Sequence, residues 1–110
     1  MLRPIIYTFT YPGALTGDQD PYFTVPMDVQ LVHVSAQCIT QDATIFLEDD
    51  GTAITDSTTV TAGTTPVEIG QAEMVGDQYP HIVKDSVIHI DIDNGSNCVD
   101  LVIVCTFTEG

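Results

Sequence analysis

The side chains that could do chemistry are mostly carboxylates. Asp91 and Asp93 stand two residues apart in the run Val87-Ile88-His89-Ile90-Asp91-Ile92-Asp93. On a strand, alternate residues share a face, so the two carboxyls would lie about 7 Å apart. That separation suits the acid and base of a glycoside hydrolase. Sixteen Asp and Glu residues in 110 make such pairs arise by chance, and the chain has no Trp to stack on a sugar ring. No enzymatic activity is therefore expected. The run Asp91-Ile92-Asp93-Asn94-Gly95-Ser96-Asn97 also carries oxygens in the manner of a calcium loop. It departs from the EF-hand pattern at Gly95 and at Ser96, where Gly is required, and has no helix on either side. Asp49-Asp50-Gly51 and Asp18-Gln19-Asp20 are two further oxygen clusters. Turn chemistry accounts for all three, with calcium at one of the loops as the alternative.

Histidine and cysteine offer less. His33, His81 and His89 are far apart in sequence, and His33 and His89 could meet only if their strands were neighbours. No spacing supplies the remaining ligands of a zinc site. Cys38, Cys98 and Cys105 are odd in number and include no Cys-x-x-Cys. They read as reduced, small core residues of a protein made in a cytosol. No metal and no cofactor is expected.

The elements that would hold these residues are strands. Residues 5–11 alternate, with Ile5, Tyr7, Phe9 and Tyr11 on one face and Ile6, Thr8 and Thr10 on the other. Pro12-Gly13 ends the run. Residues 22–25 form a short strand stopped by Pro26. Residues 30–39 form a longer one, with Val32, Val34, Ala36 and Cys38 opposite Leu31, His33, Ser35 and Gln37. Residues 43–48 follow. Asp50-Gly51 signals a hairpin, because that turn needs residues that tolerate positive φ, and residues 52–55 return from it. Short strands are expected at 58–61 and Val67–Ile69, and a helical turn near 72–75. Residues 85–93 alternate cleanly, with Ile88, Ile90 and Ile92 on one side. Asn94-Gly95-Ser96-Asn97 is a turn. Residues 99–108 close the chain, apolar on both faces: Leu101, Ile103, Cys105 and Phe107 against Val102 and Val104. Eight or nine short strands without an amphipathic helix predict an all-β antiparallel sandwich, jelly-roll-like or else immunoglobulin-like. Residues 1–12 read as an N-terminal arm or first strand, and residues 13–110 as one sandwich domain.

Charge narrows the partners. Two basic residues, Arg3 and Lys84, against sixteen acids leave a net charge of −14. Phosphate recognition needs clustered Lys and Arg, so no nucleic acid and no anionic membrane is expected as a partner. No run approaches the length of a membrane helix, and Met-Leu-Arg-Pro followed by polar alternation does not read as a signal peptide. The mean hydropathy of +0.19 argues for a folded core. The first acid is Asp18, so the N-terminal segment is the one stretch able to approach another acidic surface without strong repulsion. A strand apolar on both faces, such as 99–108, lies either beneath a covering loop or in a subunit contact.

Several stretches together resemble a known group of proteins. They are Phe23-Thr24-Val25-Pro26-Met27-Asp28 leading into Leu31-Val32-His33-Val34-Ser35-Ala36, then Asp49-Asp50-Gly51-Thr52-Ala53-Ile54, then Lys84-Asp85-Ser86-Val87-Ile88-His89-Ile90-Asp91-Ile92-Asp93, and the closing strand to Phe107. The pattern, which covers most of the chain from Phe23 onward, resembles small β-sandwich proteins of tailed-phage virions: capsid decoration (cement) proteins and related head-fibre or tail-tip modules. The resemblance implies a structural virion protein on the outer capsid surface, synthesised in the host cytoplasm. It implies a homotrimer that bridges neighbouring major capsid protein subunits. The arm residues Ile5, Ile6, Tyr7, Phe9 and Tyr11 would then bind the capsid, and Val102 and Val104 would serve self-association. The alternative is a receptor- or glycan-binding module of a head fibre or tail tip.

Overall fold

A computed structural model of the chain describes residues 3–15, 17–93 and 98–110. The turn expected at Asn94-Gly95-Ser96-Asn97, with the calcium-like loop it would close, lies outside the described residues, as do Met1 and Leu2 of the expected arm.

Among the described residues, ten strands are divided between two antiparallel sheets. They are β1 (Pro4–Ala14), β2 (Tyr22–Thr24), β3 (Val29–Gln37), β4 (Ala43–Asp49), β5 (Thr52–Ala53), β6 (Thr58–Val60), β7 (Val67–Ile69), β8 (His81–Ile82), β9 (Val87–Asp93) and β10 (Val99–Glu109). One sheet runs β1-β10-β3-β7, with β8 also on β3; the other runs β2-β9-β4-β5, with β6 also on β4. Pairing the first strand with the last, and the second with the last but one, rolls the chain up from its middle. That is the jelly-roll order, and it differs from the immunoglobulin order. Two tiny strands, β5 and β6, share one position of the roll, and β7 and β8 share another.

The expected alternation sets the layers. Leu101, Ile103, Cys105 and Phe107 of β10 face Ile88, Ile90 and Ile92 of β9 across the core, with Ile45 and Leu47 of β4 beside them, all fully buried. Asp50 and Gly51 take φ of 49° and 87° and join β4 to β5 through the pair Asp49↔Thr52, the expected two-residue turn. The arm or first strand expected at residues 1–12 is β1, which runs past Pro12-Gly13 to Ala14 and pairs with β10 from Pro4↔Thr108 to Tyr11↔Leu101.

Two local expectations are corrected. A bulge in β3 lets Thr106 face His33 while Phe107 faces Leu31. The extra residue shifts the alternation, so Leu31 is buried beside Val34 and Ala36 and Val32 moves to the outer side. The helical turn near 72–75 is a pair of 3₁₀ turns, Gln71–Glu73 and Val75–Asp77, broken at Met74. Strand β8 follows Pro80 and is only two residues long, too short for any alternation to announce it.

Candidate functional site

The two outer faces differ sharply in charge. On the β2-β9-β4 face, β9 presents His89, Asp91 and Asp93, and β4 presents Glu48 opposite His89 and Phe46 opposite Asp91. The His89 ring is held on three sides. Its Nδ1 lies 2.9 Å from Glu48 Oε1, its Nε2 lies 3.1 Å from Asp20 Oδ1, and Tyr22 stacks on it at 4.5 Å with planes 12° apart. An imidazolium donates to both carboxylates, whereas a neutral ring donates to one. Burial raises the Asp91 carboxyl above its ordinary range, Asp20 pushes the same way, His89 opposes, and Glu48 and Asp18 add to the rise. This crowding is electrostatic, and two of its carboxylates, Glu48 and Asp20, already have a partner in His89. Asp91 and Asp93 share a face as expected. They stand on an open sheet surface, and no pocket opens among the described residues.

The histidines do not assemble. His33 lies on β3 and His89 on β9, in opposite sheets, so the neighbouring strands that a shared site required are absent. His33 makes an ion pair with Glu68 instead. Among the described residues, no group of three or more His, Cys, Asp or Glu side chains is arranged to hold a metal.

Much of the loop acid does structural duty. Asp100 Oδ1 accepts from Gly13 N at 2.7 Å, Asp28 Oδ1 from Lys84 N at 2.8 Å, Asp42 Oδ1 from Ala62 N at 2.9 Å and Asp50 Oδ1 from Val87 N at 2.9 Å. Each carboxylate satisfies a backbone N–H that the turns leave without a ladder partner.

The three cysteines are buried, and none is in a disulfide. Burial pushes the Cys105 thiol up to about 12. Burial, then the neighbouring Cys38, pushes Cys98 up to about 11. Cys38 Sγ donates to the Gln41 carbonyl at 3.1 Å. Thiols so raised are poor nucleophiles at neutral pH, which agrees with their reading as core residues.

The β1-β10-β3 outer face is different. Register places Ile6, Thr106 and His33 in one row, Thr8, Val104, Ser35 and Glu68 in the next, and Thr10, Val102 and Gln37 in a third. Within these rows the ionisable side chains are His33 and Glu68, paired with each other at the β7 side. Val102 and Val104 are half-buried in the middle, flanked by hydroxyl and amide groups, and Ile6 is 59% exposed. The remaining arm residues point the other way. Ile5, Tyr7, Phe9 and Tyr11 pack against the core. Tyr7 stacks on Phe23 at 4.3 Å and meets Phe107 edge-on at 5.8 Å, and Phe9 lies 5.5 Å from Phe23. Of the five residues expected to bind a capsid, only Ile6 presents its side chain on the outer face. The uncharged face itself was not legible strand by strand. It arises because register aligns the neutral side of β1 with the neutral side of β10.

No protein-family model matches the chain, and no curated protein is significantly similar to it. Among solved structures, a chain from "Structure of infectious bursal disease virus Gx strain" superposes with a TM-score of 0.37 at 14% sequence identity, over 97% of this chain and 32% of that one. This chain thus spans about a third of that protein, and so loose a superposition carries no functional argument.

Proposed function

We propose that this chain is a structural virion protein that decorates a phage capsid and stabilises it by bridging neighbouring capsid subunits. The carrying observation is the division of charge. In a chain of net charge −14, the three central rows of the β1-β10-β3 outer face, those of Ile6, Thr8 and Thr10, hold no charge apart from one internal His–Glu pair, with Asp100 and Glu109 at the two ends of β10, while the opposite face gathers Asp91, Asp93 and Glu48. A neutral face can be desolvated against another protein at low cost, and the acids then point to solvent, where they prevent random association. The shell contact is accordingly assigned to Ile6, Thr8, Thr10, Val102 and Val104. The rings of Tyr7, Phe9 and Tyr11 support that face from inside.

The test is co-sedimentation with capsid shells lacking the protein. Wild type is expected to bind and to stay bound at about 0.5 M salt, where charge-driven contacts are screened. The double variant Val102→Glu/Val104→Glu is expected to fold and to lose binding. Retained decoration by that variant, or release of wild type by salt, overturns the proposal. A second reading has one observation in its favour. Tyr22 is 65% exposed, and its ring, stacked on His89, lies beside Asp20, in the manner of a sugar-stacking platform. Glycan binding lost in Tyr22→Ala, without any shell binding by wild type, would favour the receptor module instead.

A further inference from the structure

The strands at the sheet edges are unequal. Those of the β2-β9-β4 sheet are β2, β5 and β6, and those on the far side of the other sheet are β7 and β8; all are two or three residues long. Short edges are a common protection against unwanted pairing. Strand β1 breaks this pattern: it is eleven residues long, ends its sheet and, among the described residues, pairs with β10 alone; Pro4, Pro12 and the bulge between Tyr11 and Ala14 blunt its two ends and leave residues 5–11 open. From Pro4 to Ala14 it carries no charged side chain, so the usual edge lysine or inward charge is missing as well.

The sequence of this edge is symmetric. Tyr7-Thr8-Phe9-Thr10-Tyr11 reads the same in both directions, and its centre, Phe9, is the midpoint of Pro4–Ala14. We infer that β1 is a homodimerisation edge, pairing antiparallel with β1 of a second copy about a two-fold axis at Phe9. Phe9 then faces Phe9 of the second copy, Thr8 faces its Thr10, and Tyr7 faces its Tyr11. Thr–Thr and aromatic–aromatic partners are favourable cross-strand pairs, and the self-complementary patch is what a two-fold contact requires. The axis keeps both cores on the same side of the joined sheet, which runs β7-β3-β10-β1 and then through the same strands of the second copy in reverse. Tyr7, Phe9 and Tyr11, only half-buried at the open side of the sandwich, gain cover from the same rings of the second copy. Charge selects this occupant. Two chains of −14 repel at most approaches, whereas here neutral strand meets neutral strand. The pairing also brings Arg3, 81% exposed and 3.5 Å from Glu109 of its own chain, toward the strand end that Asp100 of the second copy holds. The contact is two-fold, unlike the trimer that the resemblance implies. It uses the strand edge, so it stands or falls independently of shell binding by the sheet face.

Sedimentation equilibrium of the full chain tests it without shells. Wild type is expected at twice the 11.9 kDa chain mass, dissociating on dilution; a monomer or trimer at all concentrations overturns the inference. Thr8→Glu/Thr10→Glu sets like charges opposite each other on both sides of the axis and is expected to weaken the dimer at least about tenfold. Thr8→Lys/Thr10→Glu sets opposite charges across the same rows and is expected to dimerise at least as well as wild type. A dimer of unchanged strength in the first variant, or a folded monomer in the second, refutes the register. Circular dichroism melts confirm that each variant is folded.

Discussion

Deleting residues 1–11 separates a detachable arm from a structural strand. An arm could be removed and leave the sandwich intact. In the structure, β1 pairs residue for residue with β10 from Pro4↔Thr108 to Tyr11↔Leu101, and Ile5, Tyr7, Phe9 and Tyr11 pack on the core. A fully buried side chain of this size contributes about 1.5–3 kcal/mol. At half burial the four together contribute roughly 4 kcal/mol. Deletion also uncovers one side of Leu101, Ile103, Cys105 and Phe107, all now fully buried, and leaves β10 with an unpaired edge, adding a comparable loss. The total of roughly 8 kcal/mol is comparable to the whole stability of an ordinary domain, about 5–15 kcal/mol. The truncated chain is therefore expected to show no cooperative urea transition and to bind a hydrophobic dye at zero denaturant. A truncated protein that unfolds cooperatively, with the midpoint and slope of wild type, would refute this reasoning and restore the arm.

Two further outcomes follow from the same geometry. Cys98 and Cys105 titrate at about 11 and about 12 in the folded chain, above the ordinary thiol range near 8.5. Folded values above unfolded ones mean that the stabilisation is complete below the unfolded pKa and is lost as pH rises through the folded values, so stability is expected to fall by roughly 2–3 kcal/mol per pH unit between about pH 9 and 11; a urea midpoint that stays constant over that window contradicts it. Asp91 is raised by burial, with Asp20, Glu48 and Asp18 adding to the rise, so its ionised form is penalised at neutral pH. Asp91→Asn is expected to raise stability by less than about 1 kcal/mol at pH 7 in low salt, a gain that fades as pH falls through the raised value of folded Asp91 toward the ordinary carboxylate range, and that shrinks at high ionic strength; a loss of stability at pH 7 would show that Asp91 makes a favourable contact.

Part of the candidate surface was legible because strand periodicity is local. Alternation grouped Tyr7 with Phe9 and set Val102 and Val104 opposite Leu101 and Ile103, but it did not say that Tyr7 and Phe9, expected to bind a capsid, turn toward the core. The charge division was not legible, since it depends on which strands are neighbours. Register set Thr8 beside Val104 and Thr10 beside Val102, though more than ninety residues separate them in the chain. The bulge at Val32 and His33 reversed half of β3, and nothing in the local pattern marked it, because both faces of that segment carry apolar residues.

By itself the sequence determined that this chain forms short strands, where most of them turn, that its thiols are core groups and that its surface is acidic, because periodicity, turn residues and composition act over a few residues at a time. The tertiary structure alone decided that the first strand closes against the last, that Glu48, Asp91 and Asp93 share one sheet face while the central rows of the other hold a single His–Glu pair, and that a long uncharged edge remains open. Each of these rests on pairings between distant segments, which the burial of one shared core selects among many sterically equivalent ones.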